Sequence, residues 1–460
     1  MTPFSSFRNP RFAFAVTALV GCVWLNQGPS IRRCKELTNE AAAPDHPFLR
    51  AWLPIAFAYQ RSTDEELYFA TANAMRGEPY DEDLLRAKRG ATSKAFERFP
   101  APDGRWHWPY LEVPLEYPAL VLPFIALPAA VASSFGAFAV FFGVSMAALM
   151  LVAVALAIGA NPGSTREDRA TQWWLAAGLF LAQGGLLAQR VDAVAAVFLA
   201  LALWAAAGRR PFLLGLAVAL AASAKILPAL VLLPLMAADR RALGSKQAVA
   251  KVATGLALGL AFGILPMVVL SPSAFLSFVD YHRARGLHVE STYGAIVSLV
   301  DLAGGGPRGA TLSFGSFNLS GATADILAGA STFLLVLSVL ALTVHVARLG
   351  APGSESIRVN RIACAGLAAL SLVWLFAKVF SPQYMTWAIP FAVLASDRRI
   401  PALLIAAMAI TQTYLRGFYD QVVDMRLLGV VALEVRLVVL VLTTILAIRA
   451  LSGSRRVQTA

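Results

Sequence analysis

Long apolar stretches recur along almost the whole chain of 460 residues. Crossing the hydrocarbon core of a bilayer as a helix takes about 20 apolar residues, with a range of roughly 17 to 25. The stretches are continuous in Leu, Ala, Val and Phe rather than alternating with polar residues, which is typical of helices and not of transmembrane barrels. With 58% hydrophobic and 14% charged residues, the composition lies far outside the soluble range. The sequence therefore predicts an all-α, polytopic integral membrane protein.

The basic residues fall mainly in short loops between the apolar stretches, as at Arg209, Arg240 and Arg398. This positive-inside pattern marks cytoplasmic loops, and it explains the net charge of +12 without nucleic acid as a partner. It predicts a multi-pass protein of the cell membrane with both termini, including the tail at residues 449–460, in the cytoplasm. The segments predicted to be external are a long first loop at residues 28–116, a second loop at 271–325, and shorter ones at 381–384 and 416–426.

Candidate transmembrane helices number about 12 or 13 within a single membrane domain at residues 1–460. Two cytoplasmic termini require an even number of crossings, and we therefore expect residues 117–134 to dip into the membrane and return. The alternative is that the charged loop at residues 166–169 is external. The candidate spans lie at residues 12–27, 117–134, 136–160, 172–188, 191–207, 211–223, 226–238, 247–270, 325–347, 361–379, 384–396, 400–415 and 427–448.

Signatures of nucleotide-dependent enzymes and disulfide scaffolds are missing from the chain. It has no CxxC or HExxH motif, no Walker-type loop and no GxGxxG after a strand, which argues against nucleotide chemistry on a Rossmann core. Its three cysteines, Cys22, Cys34 and Cys364, are scattered, and only Cys34 falls in a predicted external segment, so no disulfide framework is implied. We predict no cofactor.

Ionisable residues beside apolar sequence are the best functional indicators in such a chain, because an uncompensated charge in a bilayer costs about 3 kcal/mol or more. Asp64 lies in the acidic run 63–66 at the start of a predicted external helix, where it is either a helix cap or a functional acid. Glu116 directly precedes the point where the chain re-enters lipid. Glu112 lies on the same approach and is either part of a solvated rim or part of a site.

Two further charged positions interrupt apolar sequence. Arg190 and Asp192 lie between two spans, where they either pair only with each other or belong to a site. Lys225 has apolar sequence on both sides and is followed by the helix-breaking Pro228. It either snorkels to an interface or, if the flanking spans meet at the external surface, faces the acidic loop and binds an anion.

The segment at residues 280–291 contains two of the five histidines and two arginines, which suits phosphate recognition and proton exchange as well as a solvated amphipathic loop. Another apolar helix is broken at Ser381-Pro382, with Lys378, Gln383 and Tyr384 close to the break. Broken helices expose backbone groups, which is tolerated in a membrane only where they line a cavity.

These residues together resemble the motifs of glycosyltransferase family 87, which belongs to the membrane-embedded GT-C class and uses polyprenyl-phosphate sugars. The resemblance covers residues 60–395. Two departures are Ala119, where the family has a second proline, and an apparent insertion at 83–115 that carries Trp106 and Trp108, which could alter the acceptor site or equally anchor the loop at a membrane interface. The matching positions are Asp64, Tyr68, Gly77, Pro79, Tyr80, Asp81, Glu116, Tyr117, Pro118, Leu120, Arg190, Asp192, Lys225, Pro228, Tyr281, His282, Arg285, Gly286, Leu287, Glu290, Ser291, Ser381, Pro382, Gln383 and Tyr384.

The resemblance implies inverting transfer of a sugar from a polyprenyl-phosphate donor to an acceptor on the external, periplasmic face. Asp64 would be the general base, with Glu65 or Glu66 as substitutes, and His282 would donate a hydrogen bond or proton to the leaving phosphate. A divalent metal occurs in some relatives, but no second acidic motif has ligand spacing here, so we predict none. The donor phosphate would be bound by Lys225, Arg283, Arg285, Lys378, Gln383 and Tyr384, and the substrates by Tyr68, Glu116, Tyr117, Arg190, Asp192 and Glu290.

The sugar and the acceptor are less constrained than the reaction class. Mannose is the sugar that the family suggests, with arabinofuranose or another pentose as an alternative, and the acceptor would be a glycolipid or glycan of the cell envelope. A secondary transporter or lipid flippase is the rival class. A transporter should show related halves and charges near span centres, whereas this chain has no evident repeat and its ionisable residues gather at one predicted face.

Overall fold

The structure is a computed structural model that describes residues 63–83, 85, 100–113, 117–132, 134–304 and 309–452. Most regular structure in these ranges is helical, as the composition predicts. The predicted span at residues 12–27 lies outside them. The α-helices are α1 Thr63–Arg76, α2 Leu122–Ala130, α3 Phe135–Gly159, α4 Arg166–Gln183, α5 Asp192–Ala207, α6 Pro211–Ala224, α7 Leu232–Ala238, α8 Arg240–Leu243, α9 Lys246–Gly263, α10 Leu265–Leu270, α11 Pro272–Ala284, α12 Thr292–Gly304, α13 Ala322–Arg348, α14 Glu355–Phe376, α15 Ile389–Ala392, α16 Arg399–Gly417, α17 Tyr419–Val423 and α18 Leu427–Ser452.

Four of the described helices, α3, α13, α14 and α18, are long and apolar enough to cross a membrane. They are 22 to 27 residues long, which corresponds to about 33 to 40 Å of helix. The hydrocarbon core of a bilayer is about 30 Å thick. The larger number of crossings and their orientation stay predictions.

Several predicted spans are not continuous helices. Residues 384–396 form a 3₁₀ helix at Pro382–Ala388 followed by the four-residue α15, and residues 226–238 divide into a 3₁₀ helix at Leu227–Val231 and α7. Both breaks contain prolines, which lack the amide hydrogen and clash with the preceding turn. Residues 119–130 form a 3₁₀ turn and α2, about 18 Å in all, and this length favours the expectation that the segment does not cross.

A small antiparallel sheet, which the sequence analysis missed, lies in the segment predicted as the second external loop. It consists of β1 Leu287–His288, β2 Thr311–Ser313 and β3 Ser316–Leu319, in the order β1-β3-β2. Phe314 and Gly315 connect β2 to β3, both with positive φ, as a two-residue hairpin turn requires. Strands of two to four residues are too short to leave a clear alternating pattern, so only their pairing reveals them.

Small residues bring α6 and α9 into close contact. A methyl group on Gly255 would overlap the carbonyl oxygen of Phe212, and one on Gly259 would overlap Ala219. Glycines four residues apart lie on one face of a helix, and in membranes this spacing lets two backbones approach closely. The contact holds α6 in place, and α6 ends at the candidate site.

Helices α5, α6 and α14 each run between two cavities. Helix α5 begins beside a large cavity at Asp192 and ends at Ala207 beside a smaller one, about 24 Å away. Helices α6 and α14 run the other way, beginning at the smaller cavity and ending at the larger. We call these the first cavity, about 760 Å³, and the second cavity, about 360 Å³.

Candidate active site

The first cavity forms where α4, α6, α14 and α16 end and where α1 and α5 begin. Its wall includes most of the residues that the sequence analysis selected, although they come from segments far apart in the chain. Helix ends and breaks supply side chains and free backbone groups at one place, which is how cavities in helical membrane proteins are commonly built. The selected residues on the wall are Asp64, Tyr117, Arg190, Lys225, His282, Arg285, Glu290, Lys378, Gln383 and Tyr384.

Gly184 ends α4, and the next residue, Gly185, lies on the wall of this cavity. The φ of Gly184, 56°, is in the left-handed region, and a methyl group there would lie 3.2 Å from a guanidinium nitrogen of Arg416. The preceding Gln183 is buried and donates from Nε2 to the carbonyl oxygen of Pro382, at 3.2 Å. It also receives a hydrogen bond at its own carbonyl from Gln412, at 2.6 Å. These bonds hold three helix ends around the cavity.

Asp64 forms an ion pair with Arg190 at the edge of the cavity. Both side chains are about one-fifth exposed, so the carboxylate is held in place while remaining open to the cavity. Asp64 lies inside the first turn of α1, which excludes the alternative that it is the N-cap. Glu65 and Glu66, the substitutes for Asp64, are not on the cavity wall. The amine end of a helix also stabilises a carboxylate, because the helix dipole is positive there.

Lys225 follows the last residue of α6 and extends between two aromatic rings. Its Nζ lies 5.3 Å from the ring centroid of Tyr117 and 5.7 Å from that of Tyr384. It also lies 3.8 Å from a carboxylate oxygen of Asp192, which is buried behind it. Asp192 therefore pairs with Lys225 while Arg190 pairs with Asp64, so the alternative in which Arg190 and Asp192 pair only with each other is wrong. Lys225 faces the same cavity as Asp64.

Lys378, in the segment that follows α14, connects this segment to the end of α11 by hydrogen bonds. Its Nζ donates to the carbonyl oxygens of Arg283 and Arg285, at 3.0 and 2.6 Å. The guanidinium of Arg285 in turn donates to Ser316 Oγ at 3.1 Å on the hairpin. This network turns Arg285 and Lys378 toward the cavity as two adjacent cations.

His282 lies in the last turn of α11 and lines the cavity beside these cations. Its side chain is exposed, but the surrounding protein atoms reduce its hydration, and this desolvation, with additional repulsion from Arg285, Lys225 and Lys378, lowers the pKa of His282 to about 4. The imidazole is therefore neutral at pH 7, and a neutral imidazole can offer an N–H hydrogen bond to a ligand. An anion bound among the same cations would raise this pKa, because it stabilises the imidazolium.

Part of the proline break at residues 381–388 also lines the cavity, through residues 381–384 and Trp387. Ser381 donates a hydrogen bond to Gln383 Oε1 at 2.7 Å, and the ring of Tyr384 stacks on that of Trp387 with centroids 4.4 Å apart. The indole N–H of Trp387 is buried and has no hydrogen-bond partner among the described residues. A buried donor without a partner on a cavity wall indicates a site for water or for a polar ligand atom.

Glu290 is a buried residue of the cavity wall. It accepts a hydrogen bond from Tyr414 and lies 3.5 Å from a guanidinium nitrogen of Arg436, all three side chains being buried. Next to it, His288 donates from Nδ1 to the carbonyl oxygen of Phe380 at 2.6 Å. Burial is the largest cause that lowers the pKa of His288, to about 3. The carboxylate of Glu290 is committed to protein contacts, so its role is to hold the wall together.

The structure does not place every selected residue on the cavity wall. Tyr68 is buried behind it, with its hydroxyl 3.3 Å from that of Tyr117. Arg283 is exposed and contributes its carbonyl oxygen to Lys378 rather than its guanidinium to the cavity. Glu112 accepts a hydrogen bond within its own loop, from the amide of Trp108 at 2.9 Å. Glu116 lies outside the described residues.

Sequence reasoning also missed residues that line the cavity. Arg416 and Gln412 come from the end of α16, and Tyr419 follows on α17. Arg416 directly follows the predicted span at 400–415, and Lys225 lies in the short gap between the predicted spans at 211–223 and 226–238. A basic residue at the end of an apolar stretch is the signal that could have identified Arg416. Gln412 and Tyr419 are common residue types within helices, and only their spatial position makes them part of the site.

The charge on the wall is strongly positive. Five cations line the cavity, namely Arg190, Lys225, Arg285, Lys378 and Arg416. The carboxylates on the wall are Asp64 and Glu290. Within the described ranges, no group of three or more His, Cys, Asp or Glu side chains could hold a metal ion.

Comparisons with known proteins do not assign the chain to a family. No protein-family model matches the chain, and no curated protein matches it either. The resemblance to glycosyltransferase family 87 therefore stays a prediction from its motif residues.

Proposed function

We propose that the protein is a membrane glycosyltransferase that transfers a sugar, mannose in the first instance, from a polyprenyl-phosphate donor to a glycolipid or glycan of the cell envelope. The observation that carries this proposal is the composition of the first cavity. It combines a cluster of cations with one carboxylate, Asp64, that is fixed at the cavity edge. A phosphate leaving group needs the cations, and an attacking hydroxyl needs the carboxylate.

The donor phosphate would lie between Lys225, Arg285 and Lys378. These side chains come from different helix ends and line the same cavity. The neutral His282 would donate a hydrogen bond to the same phosphate. Charge that gathers on the leaving phosphate in the transition state is stabilised by such fixed cations more than in water, because the cavity excludes part of the solvent.

In the reaction, the acceptor oxygen attacks the anomeric carbon from the face opposite the phosphate and its proton passes to Asp64. The bond between the anomeric carbon and the phosphate oxygen breaks, and its electron pair leaves with polyprenyl phosphate. Arg190 orients Asp64 through the ion pair. The sugar hydroxyls would bind to Trp387 Nε1 and to Gln383.

The lipid chain would leave the cavity along its apolar side. Leu312 on the hairpin and Ile226 after Lys225 are more than half exposed, and Leu335 of α13 lies on the same wall. Helix α13 has an exposed apolar face and is long enough to span a membrane. A polyprenyl chain would therefore pass from the cations directly to lipid, with the first cavity at the external face and the arginine-rich loops in the cytoplasm.

The test is a transfer assay with the full chain in nanodiscs, which offers radiolabelled polyprenyl-phosphate mannose and a membrane lipid extract. A parallel assay offers a polyprenyl-phosphate pentose. Transfer of label to a new product by the native protein, and its loss when Asp64 is replaced, is the expected result. If the donor binds and neither sugar is ever transferred, the protein is not this enzyme.

The rival class, a secondary transporter or lipid flippase, predicts a different outcome in the same nanodisc system. Either activity would require the buried, alanine-rich packing of α5 between the two cavities to open. A liposome assay of lipid scrambling or solute uptake distinguishes the classes. Transport in the absence of sugar transfer would support the rival class.

A further inference from the structure

The second cavity is a separate feature that the sugar-transfer proposal does not use. It lies between the end of α3, the α5–α6 turn and the beginning of α14. Arg209, Arg210 and Arg358 line it together with Trp204 and Glu355. About 360 Å³ is enough for a phosphate group with a small polar substituent.

The three arginines differ in how far protein groups already bind them. Arg358 is buried and donates to Glu355, to Asp239 and to the carbonyl oxygen of Ala207, so it is committed to holding the cavity wall. Arg209 donates to Asp239 only through Nε, at 3.0 Å, and its side chain is 56% exposed. Glu355 and Asp239 would repel an anion, but Arg358 forms ion pairs with both and offsets their negative charge.

Arg210 has no ion pair in the described part of the chain. Its guanidinium lies 4.0 Å from the ring centroid of Trp204, and the residue is exposed. A guanidinium that lies over an aromatic ring can still offer N–H groups for a bidentate contact with a phosphate. Arg209, next to it, has a φ of 54°, which is costly for a residue other than glycine. Strain of this kind is concentrated at functional positions.

We infer that the second cavity binds a phosphate-bearing anion through Arg209 and Arg210, and that an anionic phospholipid headgroup is its source. Two observations favour lipid over free phosphate. The cavity adjoins the end of α3, a membrane-length helix on which Val152 is 49% exposed. The positive-inside pattern of the sequence also predicts a cytoplasmic position for these arginines, and the cytoplasmic leaflet is anionic. The inference does not depend on the sugar-transfer proposal.

The experiment titrates the purified full-length protein, in an uncharged detergent, with short-chain phosphatidylglycerol, short-chain phosphatidylcholine and inorganic phosphate. Binding is followed by thermophoresis. We expect saturable binding of phosphatidylglycerol, weakened about tenfold by Arg210→Gln because a charge-assisted contact is lost. The matched control is Arg241→Gln, an exposed arginine in the nearby α8 that does not line the cavity, and it should stay within about twofold of the native protein.

Each outcome decides the inference. Equal loss in Arg210→Gln and Arg241→Gln would mean diffuse surface charge and would overturn it, as would equal binding of phosphatidylcholine. Binding of inorganic phosphate as tight as that of the lipid, with the same dependence on Arg210, would keep the site and overturn the lipid source. Arg210→Lys keeps the charge without the planar edge and serves if Arg210→Gln does not fold; we expect it to bind several-fold more weakly than the native protein.

Discussion

The two cavities lie at opposite ends of the same helices, and both are lined by cations, yet the charges are arranged differently. In the first cavity, Asp64 is paired with one cation while the wall carries four more around an open space. In the second cavity, Arg358 is enclosed by Asp239, Glu355 and a carbonyl oxygen. A cation at the edge of an open space is available to a ligand, whereas an enclosed cation stabilises the fold.

This contrast predicts that Asp64→Asn gives the largest loss of activity. The amide keeps the shape of the side chain and cannot accept the acceptor proton, so turnover should fall by about 10² to 10⁴. Asp83→Asn is the matched control, since Asp83 is exposed and off the cavity wall. The measurement is the rate of label transfer at saturating donor. Equal activity of the two variants would remove Asp64 as the base.

The second cavity should respond in stability rather than activity. Arg358→Met leaves Asp239 and Glu355 without their buried partner, so we expect the free energy of unfolding to fall by about 3 kcal/mol. Arg399→Met breaks an exposed pair and should leave the free energy of unfolding nearly unchanged, because solvent screens that pair. Thermal unfolding checks both, and turnover per folded molecule should stay unchanged. If Arg358→Met is as stable as the native protein, Arg358 does not stabilise the fold, and the difference drawn between the two cavities is wrong.

Lys225→Ala should weaken donor binding about tenfold, because one charge-assisted contact to the phosphate is lost. Lys251→Ala, an exposed lysine on α9 away from the cavity, is the control. The dissociation constant of the polyprenyl-phosphate sugar is the quantity to measure. If Lys225→Ala lowers the stability of the protein but the molecules that remain folded bind the donor with normal affinity, Lys225 has a structural role and does not bind the phosphate.

The smallest predicted effect concerns pH. The pKa of His282 is about 4 without a ligand, and a bound phosphate raises it, so the bound state takes up a proton. Donor affinity should therefore rise about three- to tenfold as the pH falls from 6.5 toward 4, and His282→Asn should abolish this dependence. Affinity that does not change with pH in the native protein would argue against contact between His282 and the phosphate.

The same lowered pKa also has a consequence for stability. Because the unfolded chain binds a proton at His282 more readily, its contribution to stability is complete above pH 6.5. It is lost as the pH falls through the folded pKa of about 4. His288 acts in the same direction, with a pKa of about 3. The pH dependence of donor affinity is therefore measured under conditions where the folded fraction is monitored.

Site residues that interrupt apolar sequence could be predicted, whereas the outward position of an exposed residue and the ion pairs between distant residues could not. Lys225 and Lys378 stand out because a charge within apolar sequence is costly, and both line the first cavity. Arg283 has the same charge but lies on the outer side of α11, which the sequence of a short amphipathic segment does not reveal. The pairing of Asp64 with Arg190 joins residues 126 positions apart and has no local signature.

By itself the sequence determined the helical class, the presence of helices long enough for a bilayer, and a concentration of charges at helix ends, because hydrophobicity and proline act locally. The tertiary structure decided which helix ends meet, that Asp192 pairs with Lys225, and that residues 382–392 form a 3₁₀ helix and a short α-helix instead of one continuous helix. It also separated the two cavities. Pairings of this kind depend on packing between distant segments. The hydrophobic period of a helix indicates which of its faces is buried, but not which helix packs against that face.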